Sequence, residues 1–184
     1  MRRIITGQVL LIICCILYMI WWYRCYRPGD AVNRVGGANG ILLLSTAAFG
    51  IAGVVLSLTR VPAIASPKIE SIWILTAGIA AYVILLLITR FAFNRIVTTE
   101  LILIVGWAML EIAVICNLNA AGGLTERGFF FMCAVITIAF IISIILYVAY
   151  YRMEEMRAFY AAMVPLILAG LSMGILIVLH AAKN

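Results

Sequence analysis

The chain has 184 residues, of which 67% are apolar and only 11% charged, where roughly a quarter are charged in an ordinary soluble domain. With a mean hydropathy of +1.21, this excludes a soluble globular protein and points to an all-α integral membrane protein with one transmembrane domain over residues 1–184. The formal charge of +6 does not argue for nucleic acid as a partner, because basic loops facing anionic membrane lipids account for it.

A spanning helix needs ~20 mostly apolar residues, and taken in chain order six segments qualify. The first, residues 4–23, follows Arg2 and Arg3 and so has the start of a secretory signal, but it lacks the small residues of a cleavage site before Arg24 and is long enough to be retained. The second, residues 40–59, carries Thr46 and Gly50, Ala48 and Ala52, and Gly53 and Ser57, each pair one helical turn apart. The third, residues 71–89, has Ala77 and Ala81 in the same relation. Small residues at this spacing let backbones approach where lipid supplies no hydrophobic force between helices.

The fourth, residues 97–118, is broken by an acid. At ~100° per residue, Glu100, Ile104, Trp107, Glu111, Val114 and Leu118 share one face. A charge at mid-helix costs ~2.5–3.5 kcal/mol on insertion scales, so Glu111 is expected to face protein or a wet cavity. The same half of the bundle offers Gln8, Ser57, Thr76, Thr137 and Ser172 as partners but no Arg or Lys at that depth, so the carboxyl is expected in its neutral, protonated form. The fifth segment is residues 129–151. The sixth, residues 159–182, has Gly170 and Gly174 one turn apart and Pro165 near its start, where the helix either begins late or kinks with the carbonyl of Ala161 freed. The small-residue faces predict that the second, third and sixth helices form the tight part of the bundle.

Six spans put both termini on one side, here side A, together with loops 60–70 and 119–128. Side B holds loops 24–39, 90–96 and 152–157. Six of the thirteen Lys and Arg fall on side A and seven on side B, so the positive-inside rule does not decide. The short arginine-bearing turns of side B read as cytoplasmic, whereas Pro62, Pro67, Gly122 and Gly123 give side A the look of external loops. The chain is expected in the inner (plasma) membrane of a bacterium. Balanced charge also fits a weak 3+3 pseudo-repeat, two three-helix halves of opposite direction.

The five cysteines contain no C-x-x-C and no Cys/His cluster, and no phosphate-cradling Gly loop, acidic metal cluster or Ser/His/Asp set is present. No metal and no cofactor is therefore expected, and the residues favour binding over catalysis. Side B combines its arginines with Trp22, Tyr23, Tyr26, Phe91, Tyr147, Tyr150 and Tyr151. Such a set makes an aromatic belt, and it also makes a pocket where guanidinium groups fork onto a phosphate or carboxylate while aromatic faces cover an apolar body. The expected ligand-binding residues are Glu111, Trp107, Trp22, Arg24, Arg90 and Tyr151. The first reading is thus a small membrane protein that binds or transports an anionic or amphipathic molecule, a lipid or a metabolite. The alternatives are a membrane-embedded enzyme on lipid-linked substrates, with Glu111 or Glu100 as base, and an assembly subunit bound to a second copy or another membrane protein.

Overall fold

The computed structural model describes residues 2–28, 36–58, 68–91, 99–150 and 152–183, all of them in helices or the turns between. In chain order the helices are α1 (Arg2–Tyr26), α2 (Gly37–Leu58), α3 (Lys68–Phe91), α4 (Thr99–Ala120), α5 (Glu126–Tyr150), α6 (Glu155–Ala161) and α7 (Val164–Lys183). Five helical segments are long and apolar enough to cross a membrane: α1, α2, Leu101–Ala120 of α4, α5, and Glu155–Lys183, which joins α6 to α7. With α3, which contributes the apolar stretch Ile79–Ile88, they make a helical membrane bundle of about six spans. The protein is a small integral membrane protein.

Four clusters fix the arrangement. At the side A end, Ile4 at the start of α1 packs with Leu118 at the end of α4, Leu124 in the next turn and Leu176 near the end of α7. At the opposite end, Trp21, Trp22 and Cys25 close α1 against Leu42 and Leu43 of α2 and Phe159 of α6. Leu101, Ile104 and Val105 of α4 meet Tyr147 of α5 and Tyr82 and Leu85 of α3 at that same end. Between the ends, Leu11 and Cys15 of α1 pack on Ala169 and Met173 of α7, with Trp107 of α4 alongside.

The most extensive helix pair is α1 with α2. A Cβ placed on Gly7 would lie 2.5 Å from Ser57 Oγ and 2.8 Å from the Gly53 carbonyl oxygen, so the two backbones touch where no side chain fits. The Gly53 and Ser57 pair therefore does build a close contact, but its partner is α1. The expectation for the sixth span is overturned: a Cβ on Gly170 or on Gly174 would meet nothing within 4 Å, so that face is an open notch. Ala77 lies among residues whose side chains are not described.

The sixth span also differs from a single helix over residues 159–182. It starts earlier, at Glu155, and breaks after Ala161. The N–H of Ala162 bonds the carbonyl of Ala158 at 3.0 Å, the N–H of Met163 reaches back only to Tyr160 at 3.1 Å, and Pro165 then has no N–H to offer Ala161. Pro165 sits in the first turn of α7, where a missing donor costs the helix nothing. On side A, the turn after α4 is tied to the end of α7. Lys183 Nζ donates to the carbonyls of Gly122 and Leu124, each at 2.6 Å, and His180 Nδ1 donates to the carbonyl of Gly123 at 2.9 Å.

Candidate functional site

Glu111 is 0% exposed, and Leu101, Ile104, Val114 and Leu118 are buried on the same face of α4, so the acid points into the bundle as its cost requires. Glu100 lies among residues whose side chains are not described. Of the partners offered by the sequence, α1 brings Gln8 beside the Glu111 carboxyl and α2 brings Ser57 beside Gln8, with Gln8 Nε2 donating to Ser57 Oγ at 3.4 Å. Gln8 and Ser57 are also 0% exposed. Ser172 spends its hydroxyl on the carbonyl of Ala169, and Thr137 is exposed with its hydroxyl on Cys133, so neither joins the group. Thr76 lies among the undescribed side chains. Both Glu111 oxygens, Gln8 Oε1 and Trp107 Nε1 are buried and close no hydrogen bond among the described residues. Every described arginine and lysine side chain is exposed at the ends of the bundle, so none of them is at hand for Glu111.

Trp107 has a second role. It forms part of the wall of a cavity of about 100 Å³ in the side B half, together with Leu103 and Ile104 of α4, Tyr147 and Tyr150 of α5, and Ala161, Ala162, Pro165 and Leu166 at the α6–α7 break. Ala161, Ala162 and Pro165 of its wall lie at the break between the two helices, where small side chains face the gap. The one hydroxyl of the lining that belongs to a serine, Ser143, is spent on the carbonyl of Ala139. The cavity is thus an apolar space with an indole at its inner end. Its scale approaches that of the apolar voids, roughly 150 Å³, that stay dry and accept a benzene ring.

The residues expected to bind a ligand fall in three places. Glu111 and Trp107 share one face of α4, one turn apart. Trp22 and Arg24 lie at the end of α1, where Trp22 is buried, stacks on Tyr26 at 4.2 Å and donates Nε1 to the carbonyl of Phe159 at 3.4 Å, joining α1 to α6. Arg24 is exposed beside it. Arg90 is exposed at the end of α3, next to Phe91. Tyr151 lies outside the described residues. Sequence reading missed Ala161, Ala162 and Leu166, whose only signal was Pro165. Among the described residues no group of three His, Cys, Asp or Glu side chains could hold a metal ion. Comparison of the chain with protein families, with curated proteins and with solved structures gives no match.

Proposed function

We propose that this integral membrane protein binds an amphipathic molecule, a lipid or a lipid-like metabolite, whose hydrocarbon part enters the cavity between α4, α5 and the α6–α7 break. The cavity is the observation that carries this reading: its walls are almost wholly apolar, so they match a chain or ring and offer nothing to a free sugar or a multivalent ion. The head of such a molecule would lie at the side B surface, where Arg24, Arg90, Arg152 and Arg157 are exposed and an anionic group gains charge-assisted bonds. Trp22 supports the α6 wall of this site by holding Phe159, and Trp107 closes its inner end.

Native mass spectrometry of the gently solubilised protein tests the proposal, comparing wild type with Ala162→Leu, which replaces a methyl of the cavity wall by an isobutyl group. A retained amphiphile in wild type that is lost in the variant, with the melting temperature unchanged, is the expected result. Equal retention in both would place the lipid on the outer surface and sink the cavity reading. A stoichiometric protein partner with no retained lipid would favour an assembly subunit instead.

A further inference from the structure

We infer that Glu111 is a proton-binding site, its proton completing a hydrogen-bond relay that runs from Trp107 on α4 through Gln8 on α1 to Ser57 on α2. The inference rests on donors and acceptors, independently of any ligand in the cavity. Gln8 has already spent one amide hydrogen on Ser57 Oγ. Four atoms of the group are left buried and unbonded: Gln8 Oε1 and the two Glu111 oxygens, which accept, and Trp107 Nε1, which only donates. With Gln8 Nε2 held on Ser57 Oγ, its second amide hydrogen and the indole N–H make two donors for three acceptors when the carboxylate is ionised, and one buried acceptor, Gln8 Oε1, stays empty. One proton on Glu111 converts an acceptor into a donor. Every donor then meets an acceptor: the indole N–H and the second Gln8 N–H bond the carboxyl C=O, and the carboxyl O–H bonds Gln8 Oε1.

The geometry suits this pairing. Trp107 and Glu111 are i and i+4 neighbours, whose Cβ atoms lie ~5–6 Å apart on a helix, and a helical side chain leans back toward the preceding turn, which carries Glu111 toward Trp107. On its other side Glu111 meets Gln8. Each unmade bond in such a place forfeits the full desolvation cost of the group, so the balanced form is the stable one. Among the described residues no charged side chain stands nearby to offset an ionised carboxylate. The described arginines and lysines are all exposed at the ends of the bundle. Of the titratable groups on neighbouring helices, Cys15 of α1 is in electrostatic reach. Tyr82 of α3 and Tyr147 of α5 belong to the side B cluster, Cys133 of α5 packs on the side A cluster, His180 of α7 is held by Gly123, and α2 presents Ser57, which does not titrate.

The relay has a direction. It begins at the cavity wall, where Trp107 stands, and ends at Ser57 in the last turn of α2, close to side A. Loss of the proton would leave a carboxylate oxygen facing Gln8 Oε1 and would remove the O–H bond that ties α4 to α1.

Infrared spectroscopy of the protein in lipid vesicles tests the site. At neutral pH wild type should show a protonated-carboxyl C=O band that is absent in Glu111→Gln. In Gln8→Leu the band should move to higher frequency, because the acceptor of the O–H is gone. Glu111→Gln should also melt like wild type, since its amide has one donor for Gln8 Oε1 and one acceptor for Trp107, whereas Glu111→Leu should melt lower. A carboxylate band assigned to Glu111 at neutral pH, with no protonated band, would overturn the inference. If that carboxylate band shifted when sodium was replaced by choline, the group would be a metal-cation site and the proton assignment would fall.

Discussion

At the scale of single residues, the membrane interior turns each polar atom and each missing side chain into a constraint. Gly7 is the sharpest case. It stands alone in the sequence between Thr6 and Gln8 and has no small partner one turn away in α1, yet its missing Cβ is what lets α1 lie on the backbone of Gly53 and Ser57. Gly7→Ala should therefore force α1 and α2 apart, at a cost of ~1–3 kcal/mol typical of overpacking, and it should also disturb the bond between Gln8 and Ser57 on the next residue. Gly170→Ala should be nearly silent, because its Cβ would point into open space. Thermal unfolding of the two variants in the same detergent is the check, and similar losses for both would contradict the close approach of α1 and α2. Glu111 was legible in the sequence because an acid at mid-helix has few places to go. Its partners were only half legible: five polar side chains lay at a suitable depth, and which of them faced it depended on helix rotations that hydropathy does not encode. Gln8 and Ser57 turned inward, while Thr137 faces outward and satisfies its hydroxyl on its own helix.

The elements themselves were the easiest part to read. Apolar runs of membrane length have few alternatives to helix, and the observed ends lie within a few residues of the predicted ones, except where the chain stops being regular. At the start of the sixth span, Pro165 gave two readings, a late start or a kink, and the protein combines them: α6 occupies the first two turns, the chain turns at Ala162 and Met163, and α7 begins with the proline in its first turn. The cavity lies against this break. Pro165→Ala restores an N–H that can bond the carbonyl of Ala161 and so favours one continuous helix over Glu155–Lys183. Stability should change by less than ~1 kcal/mol, because a proline in the first turn removes no bond that the broken helix has. Amide hydrogen exchange at Ala162 and Met163 should slow, and retention of the amphiphile should fall with it. Faster exchange at those two amides would mean that the break is set by packing of Phe159 under Trp22, and not by the proline.

For the whole molecule, the open matter is which face of the membrane each end occupies, and the bundle sharpens it. Packing of Ile4, Leu118, Leu124 and Leu176 in one cluster puts the start of α1, the turn after α4 and the end of α7 on a common side. The start of α2 and the end of α5 lie on the other, with Trp22 and Tyr147. Two pairings, α1 with α7 and α3 with α4, exchange under the relation a 3+3 repeat would impose, with α7 as the sixth span, whereas the pairing of α5 with α7 has no counterpart of like extent between α2 and α3 among the described residues. A chain of opposed halves would be expected to balance its basic residues, and six against seven is such a balance. Orientation then depends on the residues nearest the helix ends, which act most strongly during insertion. Side B has Arg24 and Arg90 in the last turns of α1 and α3, Arg152 in the short turn before α6 and Arg157 in α6 itself, so we expect side B in the cytoplasm and both termini outside. Ala38, exposed at the start of α2, and Asn119, exposed at the end of α4, suit single cysteine probes. In intact cells a membrane-impermeant thiol reagent should label Asn119→Cys and spare Ala38→Cys until the membrane is opened. The reverse pattern would put side A inside, and labelling of both sites in intact cells would show that the balanced charges let the chain insert both ways.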